Sequence, residues 1–316
     1  MLRRLLPLAG VLLLTACDAG APVSHPDATM PTPTWAPAPS TAPAGTTTPV
    51  PARPLGIAAG SRIAVITDTA ALVLPEPGPS PVAGPPRSVV AVGDTFRVVA
   101  GASVHTLPGG PTWSLPGEGG AIAVPGDADW TAVALPDRGD VIILSPTGEP
   151  LRTIHTGGRP SALAADAKRI AVLDAGESSI TTFDAATGAR QEALRAGDGA
   201  VAVAAVGGGR FAVIDARDGE LLVFDAGPLI LRQRYPVPGG AWAAAYDTTR
   251  GVLWVTLTQR NEVVGYHLGG GTPREVGRHQ TVRLPLALAV DPATGALAVA
   301  GTDHTGAEGL VQRIAA

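Results

Sequence analysis

One cysteine and one lysine stand in the whole chain, and aromatic residues make up 4% of it. The lone cysteine, Cys17, excludes an intramolecular disulfide framework and any site that needs a cysteine pair. The lone lysine, Lys168, leaves arginine to carry the positive charge. With a net charge of -4 and no basic block, nothing in the chain makes an electrostatic case for nucleic acid. Catalytic signatures are missing too. There is no Gly-x-Ser-x-Gly elbow, no His-Glu-x-x-His and no phosphate-binding P-loop. The longest greasy stretch near the start, Leu5 to Leu14, has about ten residues, against the ~20 needed to cross a bilayer.

That stretch has a different use. Arg3 and Arg4 precede it, and small residues follow it, as in a secretory signal. Leu14-Thr15-Ala16-Cys17 then resembles the bacterial lipobox: an aliphatic residue, two small residues and cysteine. The resemblance implies cleavage before Cys17, diacylglycerol on its thiol, and two or three acyl chains in all. One chain anchors marginally, and two or more anchor stably. The expectation is a signal peptide over 1–16 and a lipid-anchored protein on the extracytoplasmic side of the cell membrane. Heavy use of Ala, Gly, Pro, Arg and Val points to a GC-rich genome of the actinobacterial kind.

Residues 17–54 are dominated by Pro, Thr, Ala and Ser, with almost no aliphatic periodicity. Such a segment buries too little apolar surface to offset its ordering entropy, and proline favours an extended chain. It is expected to be a disordered tether that spaces a body over 55–316 from the membrane. His25 and Trp35 are expected to be solvated linker residues. The Thr/Pro mix is also similar to O-glycosylated stalks.

The body repeats. The segments 162–194 and 201–235 share four short apolar strands separated by polar turns, offset by about 41 residues. Asp174 matches Asp215, and Phe183-Asp184 matches Phe224-Asp225. Weaker copies begin near Gly56, Ser88, Ala121, Trp242 and Ala287, at spacings of about 32 to 45 residues. Four Val- and Ile-rich strands per ~40 residues predict an all-β fold, a β-propeller of four-stranded blades. Seven blades are expected, with six as the alternative. First strands such as Ala162–Ala165 carry small side chains that suit a tight central channel. The last unit stops after a third strand, so an N-terminal strand should close the ring, from 55–60 or 79–84. The stretch 170–189 resembles the YVTN/YncE-like bacterial propellers, with some flavour of NHL and quinoprotein-like repeats. That resemblance implies architecture rather than activity.

Three groups of residues are candidates for chemistry. Asp303, His304 and Glu308 offer oxygen and nitrogen ligands in one loop, with Ca²⁺ as the metal they would suit. The recurring acid after the second strand (Asp68, Asp137, Asp174, Asp215, Asp303) either rings one face or caps its own turn by accepting backbone N–H groups. Arg159, Arg260 and Arg283 are expected on that same face. Trp113, Trp130, Trp242 and Trp254 are expected to pack between blades. The function expected is non-catalytic: a monomeric binding or scaffold module whose partner is an envelope protein or a small ligand, with no resident cofactor. The alternative is a metal-dependent propeller hydrolase, lactonase-like, with its site at the central channel. The candidate binding face is Asp137, Arg159, Asp174, Asp215, Arg260, Asp303 and His304.

Overall fold

The computed structural model describes residues 30–37, 41–302 and 308–315. Twenty-eight strands form seven four-stranded antiparallel sheets. The seven first strands are Pro54–Ala59, Pro86–Val92, Ile122–Ala123, Ala162–Ala165, Ala200–Ala205, Ala241–Asp247 and Ala287–Val290. They include or adjoin every repeat start expected from the sequence, and they pack side by side in a closed ring. The fold is therefore a seven-bladed β-propeller. Blades one to six occupy 54–80, 86–114, 122–155, 162–195, 200–236 and 241–280, each a simple meander from the axis outward.

Blade seven is built differently. Ala287–Val290, Leu297–Thr302 and Gly309–Ile314 come from the end of the chain, and its outermost strand is Thr46–Val50. Thr46 lies opposite Arg313 and Val50 opposite Gly309. The ring is closed by an N-terminal strand, as expected, but not by 55–60 or 79–84. Pro54–Ala59 is the inner strand of blade one, and Glu76–Ser80 is its outer strand. The ordered body thus begins inside the stretch assigned to the tether.

The core lies between blades. Seven clusters of buried apolar side chains each join two neighbouring blades. Strand alternation builds them: along Arg210–Asp215, Phe211 and Val213 face blade four, while Ala212 and Ile214 face blade six. No blade can bury both faces alone, so the ring stabilises itself by stacking.

The meander also fixes which loops share a face. Turns between second and third strands fall at the same end as the crossings from one blade's outer strand to the next blade's inner strand. That end, the crossing face, receives Asp137, Arg159, Asp174, Asp215, Arg260 and Arg283.

Candidate functional site

The crossing face is held by side chains that grip the crossing loops. In blade five, Asp215 ends the second strand and is 0% exposed. Its Oδ2 accepts Asp198 N–H at 2.8 Å. Its Oδ1 accepts the N–H groups of Gly199 (3.0 Å), Arg217 (3.0 Å) and Asp218 (3.2 Å). Gly197 sits where any side chain would overlap the carboxylate, with φ of +82°. Asp215 therefore caps its own turn and also clamps the preceding crossing. Covered and fully engaged, it does not belong to an exposed binding face.

Asp174 does the same work half-exposed. Its Oδ2 accepts Arg159 N–H at 2.6 Å and its Oδ1 accepts Glu177 N–H at 3.2 Å. Asp137 behaves differently. It lies in the 3₁₀ turn Pro136–Arg138, and Arg159 reaches it at 2.8 Å. Both side chains are open to solvent, 67% and 73% exposed. In blade two, His105 of the third strand grips the crossing instead. Its Nε2 accepts Ala83 N–H at 3.1 Å, which leaves the Nδ1 proton facing Thr112 Oγ1 at 3.2 Å. Burial pushes this imidazole below the ordinary histidine value of 6.5.

A cleft of about 390 Å³ opens between blades three and four, lined by Thr156, Arg159, Asp174, Glu177, Arg190 and Arg195, among others. Arg195 extends the charged rim by pairing with Asp198 at 2.7 Å, and Arg217 joins from the other side at 3.0 Å. Hydrogen bonds from Arg217 first, and then Arg195, hold the Asp198 carboxyl below its usual range. Sequence reasoning found Arg159 and Asp174 but missed Arg190, Arg195 and Glu177. The recurrence of polar residues at the start and end of fourth strands, as in Arg190–Arg195, was the available signal.

Among the described residues, one group of acids lies close enough for a metal: Asp215, Asp218 and Glu220, with candidate ligand atoms within 4.8 Å of one another. A cation already serves it. Arg234 Nε lies 2.6 Å from Glu220 Oε2, and its other nitrogen lies 3.7 Å from Asp218. The Glu220 hydrogen bond raises the Arg234 pKa. With the Asp215 oxygens committed to N–H donors, the donor set does not fit a metal. The first strands bring no imidazole to the channel and a single carboxylate, Asp247. That group is buried and accepts Thr249 N–H (2.9 Å), Arg250 N–H (3.0 Å) and the Arg250 guanidinium (3.0 Å). Asp303 and His304 lie outside the described residues, as do Cys17 and His25.

Arg260 is exposed in blade six and lies over Gly239, whose added methyl would stand 2.7 Å from Arg260 Nε. Arg283 is on the same face but covered from outside. Its guanidinium lies 5.4 Å from the centre of the Trp35 ring, and its Nε donates to Ala36 O at 3.0 Å. Trp35, expected as a free linker residue, is thus a contact of the body. Trp113 is buried between blades two and three, under the Arg97 guanidinium at 4.6 Å. Trp254 is buried beside His279, and Trp130 packs at the junction of blades three and four. Trp242 stands half-buried on the inner strand of blade six.

No family model matches the chain, and no curated protein matches it in sequence. Solved structures do match in shape. Hydrazine synthase of Kuenenia stuttgartiensis shares 14% identity, with a TM-score of 0.67 over 86% of this chain and 97% of that one. A streptogramin B lyase shares 12%, with a TM-score of 0.66 over 84% and 96%. The WD40 domain of Neurospora crassa Pan2 shares 14%, with a TM-score of 0.65 over 83% and 89%. At these identities the likeness is one of fold, and the fold is shared by proteins named as enzymes and by a WD40 domain.

Proposed function

We propose that this chain is a lipid-anchored, extracytoplasmic propeller of the YVTN/YncE-like kind that works by binding a protein in the cell envelope. The contact surface is the arginine- and carboxylate-lined rim of blades three to five. The observation that carries this reading is the exposed Asp137–Arg159 pair beside the blade three–four cleft. Its groups hold little of the fold together, so their chemistry is free for a partner. Paired charges on a rim set orientation and partner choice more than raw affinity. The lipobox-like Leu14–Cys17 supports the anchor, and the Pro/Thr-rich tract after it supports a spacer.

A channel enzyme finds less support. The first strands supply no convergent carboxylates, and the acids nearest one another outside the channel are neutralised by Arg234.

The test is capture from membranes of the producing cell with the full chain, compared with an Asp137→Arg/Arg159→Glu chain. The reading expects one partner to be retained by the parent and lost by the variant at an unchanged urea midpoint. Equal capture by both overturns the site. A Cys17→Ser chain should leave the membrane fraction, and its retention there overturns the anchor.

A further inference from the structure

The segment Met30–Pro37 belongs to the Pro/Thr-rich tract, yet it lies on the crossing face. Pro31 and Pro33 are half-buried, while Thr32 and Thr34, which follow them, are exposed. Ala36 is 4% exposed. Pro31 meets blade five, since a methyl on Gly199 would stand 2.7 Å from Pro31 Cγ. Further along, two consecutive carbonyls are taken by the body: Ala36 O by Arg283 Nε at 3.0 Å, and Pro37 O by Asn261 Nδ2 at 2.9 Å. The Trp35 ring stacks against the same Arg283.

Asn261 is placed for this. It occupies the left-handed position before the third strand of blade six, at φ of +52°. Blades three and five use Gly139 and Gly219 there, and blade four uses Ser178 at φ of +46°. Asparagine tolerates that conformation and adds an amide. The amide is 1% exposed, and its Oδ1 accepts Leu284 N–H at 2.9 Å. With the oxygen fixed, Nδ2 can only face the docked chain. Leu284, the donor, has φ of +50°, so two of the three left-handed non-glycine residues among those described meet at this spot. Backbone held in sparsely populated regions clusters where a site is built.

The ligand chemistry follows. Proline-rich chains make no internal backbone hydrogen bonds, so their carbonyls stay free for outside donors. They are recognised by fixed donors together with aromatic or guanidinium planes. We propose that the crossings of blades five to seven form a receptor groove for an extended proline-rich peptide containing tryptophan, and that Met30–Pro37 fills it in cis. This does not rest on the partner site at blades three and four.

The probe is a labelled peptide, Met-Pro-Thr-Pro-Thr-Trp-Ala-Pro, and the protein is the full chain, with 5-fluorotryptophan as reporter. Replacing Trp35 by phenylalanine assigns its resonance. In the parent, that resonance should stand apart from the free-peptide position. Arg283→Ala and Asn261→Gly should each return it there, with the other four tryptophan signals unmoved as a check on the fold. A Trp35 signal indifferent to both changes overturns the docking. A segment on the same chain acts at an effective concentration near millimolar, so a groove of ~100 µM affinity is about nine-tenths filled in cis. Trp35→Ala should therefore bind the labelled peptide about 10-fold better than the parent, and Trp35→Ala/Arg283→Ala should not bind it. Peptide binding that ignores Arg283, or none by Trp35→Ala, overturns the receptor groove.

Discussion

Blades three and five place an acid at the same end of the second strand and use it in opposite ways. Asp215 is sealed under the crossing from blade four, with its two oxygens shared among four N–H groups. Asp137 stands in solvent and meets one arginine. What separates them is the surrounding backbone. Gly197 clears room for the carboxylate of blade five, whereas blade three spends three residues on a 3₁₀ turn that lifts Asp137 away. The two acids do not share a register position: Asp215 lies opposite Glu220, Leu135 takes that place opposite Asp140, and Asp137 falls two residues later. One acid holds the ring and the other stands in solvent clear of it.

Breaking blade five should have the largest effect. Asp215→Ala orphans four N–H donors, one buried and three part-buried, and should cost about 3–4 kcal/mol in urea unfolding. A loss under ~1 kcal/mol would mean that the crossing is held by other contacts. Asp174→Ala leaves two donors in a half-exposed site and should cost about 1–2 kcal/mol by the same measurement. Blade two sharpens the comparison because its clamp is an imidazole whose pKa burial lowers. The folded pKa of His105 lies below its unfolded value, so the stability it lends is fully present above about pH 6.5 and is lost as pH falls toward the folded value. The urea midpoint should drop across that window, and His105→Gln should flatten the drop. An unchanged profile in the variant would remove His105 from the clamp. The smallest effect on stability belongs to Asp137→Ala, within about 1 kcal/mol. The same change should still cut partner capture several-fold.

Much of the fold was legible before any coordinates. First strands recur at about 32 to 45 residues and are mostly rich in Ala and Val, and all seven starts could be placed from that repeat. The closing strand was hidden for the opposite reason. Thr46–Val50 is an outer strand with four exposed residues and a proline, so it carries no apolar alternation and blends into the tract before it. The site was legible as a face but not as a set of roles. Asp137, Asp174 and Asp215 look alike in sequence, and their difference depends on what backbone lies over them. Asn261 was there to be noticed, standing at the left-handed turn position where blades three and five have glycine. Its meaning needed the docked Pro37 carbonyl.

The closing strand also sets an order of events. Thr46–Val50 precedes the strands of the first six blades in the chain, yet its partner Gly309–Ile314 follows them all. Six blades can stack while the strand that will complete the seventh waits unpaired. The ring then shuts in a single late step that joins the two most distant parts of the body, a long-range closure of the kind that slows folding. A chain truncated by its last ten residues would lose that step, and Thr46–Val50 would be left with an open edge.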